Sequence, residues 1–139
     1  MKRSAVIVGT FATFAILASS AAANAQVELE CEAEGAGDIS MSADYEERRS
    51  RRKFSTEFEA DPRAGFTVGQ RMTVLVEGVN VGSVTLRRVT GGDLQGDLNL
   101  DNTPDGGERP FPQNFPEVGQ NSRILIRIAG ETVLGCRLR

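Results

Sequence analysis

The sequence contains no histidine and no tryptophan, and these absences exclude most enzyme classes. Without histidine, the chain cannot form a Ser-His-Asp triad, a Cys-His pair or an imidazole site for zinc or copper. It also has no glycine-rich phosphate loop ending in Lys-Ser or Lys-Thr. We therefore expect a protein that is not an enzyme and holds neither a cofactor nor a metal.

Paired carboxylates are the one catalytic route that remains open. A glycoside hydrolase needs two acids across a cleft, one of them with a raised pKa. Here the acids mostly occupy turns or the outward positions of predicted strands, and no tryptophan is available to stack on a sugar. A carboxylate-dependent hydrolase is thus the weakest functional alternative.

The first 25 residues have the organisation of an export signal. Lys2 and Arg3 precede an apolar run at Ala5–Ala18, and Ala23-Asn24-Ala25 forms an A-x-A cleavage site. The run is shorter than the about 20 apolar residues that a membrane span needs. We predict that residues 1–25 are a cleaved signal peptide, that no stable membrane insertion follows, and that the protein is secreted or periplasmic.

Residues 26–139 then form a single domain of 114 residues. Cleavage leaves 14 basic and 19 acidic side chains, a net charge of −5, which argues against nucleic-acid binding. Cys31 and Cys136 lie near the two ends of this domain, and an oxidising compartment favours a disulfide between them. The first and last strands should then be neighbours, with the glutamates of one beside Arg137 and Arg139 of the other.

Apolar and polar residues alternate along most of the domain, as in half-buried strands. In Gln26–Glu34, for example, every second residue is a glutamate. Glycine, proline and aspartate interrupt the alternation and mark turns. The sequence predicts an all-β fold of about seven to eight short strands with one disulfide, either an immunoglobulin-like antiparallel β-sandwich or a small β-barrel. The predicted strands are 26–34, 39–46, 53–60, 73–76, 79–86, 94–100, 123–128 and 132–138.

One hairpin pattern occurs twice, at Phe66–Leu86 and at Val118–Leu138. Each copy has a Val-Gly-Gln triplet followed, after three residues, by three apolar residues, and each turns at a glycine. The triplets align with an offset of 50 residues. Because the apolar runs have no polar face, we expect them to be central strands.

The densest charge feature is the arginine tip, residues 48–53, at the turn of a predicted hairpin. Its cations could bind phosphate or sulfate groups of an anionic glycan, or an acidic envelope protein. The alternative is a solvated turn, partly neutralised by nearby glutamates, that blocks edge pairing. The candidate anion-binding residues are Arg48, Arg49, Arg51, Arg52 and Lys53.

The proline-rich connection, residues 101–117, offers a second candidate site. Phe111 and Phe115 could form a recognition loop, or they could fold back and cap the core. Its first six residues, Asp101–Gly106, resemble the start of a calcium loop, but the acidic pattern is incomplete and a polar turn is the alternative.

These features favour an exported bacterial β-sandwich that acts as a binding or structural module of the envelope or extracellular matrix. A second class is a secreted or periplasmic inhibitor that uses the 101–117 loop or the 48–53 tip, and the hydrolase is the third.

Overall fold

A computed structural model of the chain describes residues 25–139 as an antiparallel β-sandwich with nine strands. The predicted sandwich is confirmed. The barrel alternative is not, because the strands form two separate sheets that do not close. The predicted signal peptide falls almost entirely outside the described residues. The strands are β1 Gln26–Gly35, β2 Ile39–Arg48, β3 Arg51–Ala60, β4 Arg71–Val76, β5 Val79–Thr85, β6 Arg87–Arg88, β7 Leu94–Asp101, β8 Arg123–Ile128 and β9 Glu131–Arg137.

The sheets follow the order β1-β2-β3-β7-β6 and the order β5-β4-β8-β9. We call them the five-stranded and the four-stranded sheet. Phe54 and Phe58 on β3, with Met72 and Val74 on β4, belong to the buried core. Thr56, the one buried threonine among residues 25–139, donates its hydroxyl to the carbonyl of Ser42 at 2.8 Å, so its polar group is satisfied inside the core. In residues 25–139 no helix is long and apolar enough to cross a membrane.

A disulfide joins the two sheets at one open side of the sandwich. Cys31 on β1 and Cys136 on β9 are bonded, with their Cα atoms 5.8 Å apart. The predicted neighbours therefore meet, but they lie at the edges of different sheets. A single pair of backbone bonds between Glu30 and Arg139, at 3.2 and 3.1 Å, bridges these edges.

The repeated hairpins are β4–β5 and β8–β9, and β4 pairs with β8 at the centre of the four-stranded sheet. The prediction that both apolar runs form central strands is thus confirmed. The Val-Gly-Gln triplets, which are 50 residues apart, are not structural equivalents, however. Gly78 corresponds to Gly130 in the turns, and the backbone bond from Leu86 to Gln70 corresponds to the one from Leu138 to Ser122, an offset of 52 residues.

Candidate functional site

The arginine tip is mostly strand, because β2 continues to Arg48 and β3 begins at Arg51, which pairs with it, so only Arg49 and Ser50 form the turn. Arg49 lies between them with a φ of 55° and an exposed side chain. Arg48 contacts two carboxylates, Glu28 at 3.0 Å and Glu46 at 2.6 Å. This part of the tip is therefore partly neutralised, as the solvated-turn alternative expects.

Asp101, at the end of β7, neutralises the next part of the tip. Its side chain is 0% exposed, and its Oδ2 atom lies 2.9 Å from Arg51 and 3.8 Å from Lys53. Its Oδ1 atom accepts the backbone N–H of Thr103 at 2.8 Å. The hydrogen bond from Arg51, followed by the one from Thr103, lowers the pKa of Asp101 to about 2. The carboxylate therefore stays charged and anchors both cations.

Asn102 fastens the tip to the proline-rich connection. Its Oδ1 atom accepts the backbone N–H of Arg52 at 2.9 Å, and its Nδ2 atom donates to the carbonyl of Ser50 at 2.5 Å. Its own N–H donates to the carbonyl of Arg52 at 3.2 Å. The two predicted sites, 48–53 and 101–117, thus form one continuous surface, which we call the end surface.

Aromatic packing orders the centre of the end surface. The guanidinium carbon of Arg52 lies 4.9 Å from the ring centroid of Phe111. Phe111 contacts Phe115 edge to face at 4.6 Å, and Phe115 lies 5.7 Å from Phe54 in the core. Both phenylalanines of the connection are partly buried against the core, which favours capping. Phe111 nevertheless positions Arg52 at the surface.

In the turn that resembles a calcium loop, the first carboxylate, Asp101, binds groups of the protein. Both oxygens of Asp101 already accept hydrogen bonds, from Arg51 and from Thr103. Among residues 25–139, no group of three or more Cys, Asp and Glu side chains is arranged to hold a metal ion. The geometry of Asp101 therefore favours a polar turn.

Sequence reasoning missed the separation of charge between the two outer faces. The outer face of the five-stranded sheet, the acidic face, sets like charges directly opposite each other, as in Glu30 with Asp44 and Glu57 with Asp97. The outer face of the four-stranded sheet carries arginines instead. They lie on three strands, β4, β8 and β9, and the sheet order brings their outward positions together: Arg71, Arg123, Arg127 and Arg137.

A comparison with protein-family models, curated proteins and solved structures finds no match to this chain.

Proposed function

We propose that the chain is exported and acts as a non-enzymatic binding or structural module of the bacterial envelope or extracellular matrix, with the end surface as its contact site. The observation that supports this proposal is the fixed position of Arg52, whose backbone is clamped by Asn102 and whose guanidinium lies over Phe111. The disulfide is consistent with an oxidising compartment.

The physical basis of the proposal is that the Arg52 side chain is ordered before a partner binds. Immobilising a long side chain at an interface costs about 0.5–1.5 kcal/mol, and Arg52 is already ordered in the free protein. Arginine and aromatic residues are also enriched among the residues that dominate binding energy. Arg49 and Arg109 are exposed and form no ion pair within residues 25–139, so they add unneutralised charge to the same end. A partner protein with an acidic patch fits this surface.

The inhibitor alternative uses the same surface and draws support from the rigidity of the connection. Backbone bonds of 2.9 Å run from Asp101 to the carbonyl of Arg109 and from Arg109 to the carbonyl of Asn99. An ordered loop of this kind could occupy an enzyme cleft with little loss of conformational entropy.

The test is a pull-down from envelope extract with immobilised residues 26–139, comparing two double variants. Arg49→Ser with Arg52→Ser changes the end surface. Arg63→Ser with Arg88→Ser removes the same charge at the opposite end of β3 and serves as the control. We expect a specific protein to be retained by the wild type and the control, and lost with the end-surface variant.

Equal retention by all three proteins would reject the end surface as the contact site. The inhibitor alternative is tested separately with a panel of proteases and lysozymes. Inhibition that the end-surface variant loses would assign the chain to that class, and hydrolysis of a glycan by the wild type would support the third alternative.

A further inference from the structure

The outer face of the four-stranded sheet, which we call the arginine face, carries a cluster of positive charge. Its arginines are Arg71 on β4, Arg123 and Arg127 on β8, and Arg137 on β9. None of the four forms an ion pair within residues 25–139. They therefore differ from Arg48 and Arg51 of the tip, which both have carboxylate partners.

Three of these side chains are held in place by neutral groups. Arg71 donates to the hydroxyl of Ser83 at 2.7 Å, and Arg127 donates to the hydroxyl of Thr132 at 3.3 Å. Arg137 donates to the carbonyl of Asn121 at 2.9 Å. These bonds restrict the guanidinium groups without neutralising them, so the charge remains available to a ligand.

The charge is also retained at a cost in stability. Arg123 and Arg137 are directly opposite each other in the β8–β9 ladder, and like charges in that position destabilise a sheet. No aspartate or glutamate occurs at the outward ladder positions of this sheet within the described chain. Glu131 begins β9 opposite Ile128, and Glu77, in the turn after β4, accepts the backbone N–H of Arg123 with its carboxylate. An anionic ligand would remove the repulsion between the opposed arginines.

We propose that the arginine face is a binding site for an acidic polysaccharide. The arginines bind its sulfate, phosphate or carboxylate groups, since the guanidinium fork matches these anions. Hydroxyl groups on the same face, from Thr73, Ser83 and Thr85, are available to the sugar hydroxyls. The face is separate from the end surface, so the inference does not depend on the proposed function.

The size of the face favours a polysaccharide over a second folded protein. Four strands at ordinary spacing and β4 at its six residues give a patch of about 19 by 20 Å, or about 400 Å². A contact over this area buries about 800 Å² in total, whereas a stable protein interface buries about 1,200 Å² or more. An extended polymer can instead cross the patch and continue beyond it.

The surface chemistry argues against a lipid bilayer. At the centre of the face, Leu75 and Leu125 are only 8% and 9% exposed, so they offer little apolar surface for insertion. In residues 25–139 the exposed large hydrophobic residue is Val68, at 57%, and it lies outside this face. The acidic face on the other side of the sandwich repels a polyanion, which confines the ligand to the arginine face.

The test compares binding of residues 26–139 to two immobilised probes, heparin as a sulfated polysaccharide and polygalacturonate as a carboxylated one. The face variant replaces Arg71, Arg123 and Arg127 by Gln. The matched control replaces Arg63, Arg87 and Arg88 by Gln, which removes the same charge elsewhere. We expect the wild type and the control to bind at least one probe at low salt, and the face variant to bind at least tenfold more weakly.

Two further measurements separate a loss of binding from a loss of folding, and test whether the positive charge is what binds. Circular dichroism and the thermal midpoint establish that each variant folds, and a variant with Lys at the same three positions should recover most of the affinity. Equal loss in the face variant and the control, or no binding of either probe by the wild type, would overturn the proposal. So would salt-sensitive self-association in sedimentation that the face variant abolishes, because it would assign the face to a second copy.

Discussion

Val74 pairs with Ile126 across the centre of the four-stranded sheet, and the two residues also occupy equivalent positions in the two hairpins. The offset between the hairpins is 52 residues, so a local twofold axis passes through this pair. The same axis relates Arg71 to Arg123. The arginine face is therefore built around the symmetry of two copies of one structural unit.

The two hairpin turns give a direct test of this equivalence. Gly78 and Gly130 have φ values of 80° and 81°, and the residues before them, Glu77 and Ala129, also have positive φ. Type I′ turns require this conformation, which costs a residue with a Cβ atom about 1–2 kcal/mol. We expect Gly78→Ala and Gly130→Ala each to lower the free energy of unfolding by about 1 kcal/mol, measured by urea denaturation.

The control is Gly107→Ala, because Gly107 does not have positive φ and a Cβ atom there would meet open space. It should change stability by less than about 0.5 kcal/mol. A loss at only one of the two turns would show that the hairpins are not energetically equivalent.

The strands could be predicted from the sequence because the alternation of apolar and polar residues follows the alternation of buried and exposed positions. All the apolar positions predicted to face inward on β3 are buried, from Phe54 to Ala60. The offset of the repeat could not be found in the same way, because the matching Val-Gly-Gln triplets are not structural equivalents. Gly69, with a φ of 86°, corresponds to Asn121, with a φ of 68°. Asparagine tolerates this conformation, so a match by identity aligned the wrong glycine.

At the candidate sites, the charged residues could be predicted from the sequence, but their ion-pair partners could not. The composition of the tip could be found in six consecutive residues, but its neutralisation could not, because Arg51 and Asp101 are 50 positions apart in the chain. They meet because β3 and β7 are neighbours, so that Lys53 pairs with Asp101. Only the sheet order supplies that information, and the arginine face depends on it in the same way.

Removal of the disulfide should destabilise the domain strongly. Cys31 and Cys136 are 105 positions apart, and losing the bond between them releases the whole domain in the unfolded state. We expect the double variant Cys31→Ser, Cys136→Ser to lower the free energy of unfolding by about 2–5 kcal/mol in urea denaturation. Hydrogen exchange should also accelerate at the amides of Glu30 and Arg139, which bridge the two sheet edges.

A uniform rise in exchange at all amides, with no excess at Glu30 and Arg139, would show that the disulfide does not specifically hold this seam. The wild type treated with a reductant provides the control, because it has the same covalent change without a substitution.

Asp101 should make stability depend on pH in the acid range. Its pKa of about 2 in the folded state lies below the ordinary value of 3.8, so its ion pairs stabilise the fold above about pH 4 and are lost as the pH falls towards 2. At pH 7, Asp101→Asn should lower the urea midpoint, because Arg51 and Lys53 lose their anion. The difference from wild type should shrink between pH 4 and pH 2.

Asp105→Asn, in the same turn region and without an ion pair in the described chain, is the control and should show a much smaller effect. A difference for Asp101→Asn that stayed constant down to pH 2 would mean that the substitution acts through packing and not through charge.

Asp44 should have the opposite dependence. Burial, followed by the charges of Glu30 and Glu32, raises the pKa of its carboxyl group. The ionised form therefore destabilises the fold above that raised pKa, and the penalty disappears below the ordinary value of 3.8. We expect Asp44→Asn to stabilise the domain at pH 7 by about 0.2–1 kcal/mol, the usual size of a cross-strand pair contribution in a sheet, and to have no effect near pH 3.

Asp93→Asn, in the turn before β7, is the matched control for the change in net charge. If both substitutions stabilise the domain equally, the benefit comes from lowering the overall negative charge, and the Glu30–Asp44 pair has no specific role. If only Asp44→Asn stabilises the domain, the repulsion between Glu30 and Asp44 lowers the free energy of unfolding of the wild type. High salt should then reduce the gain, because it screens the exposed pair in the wild type.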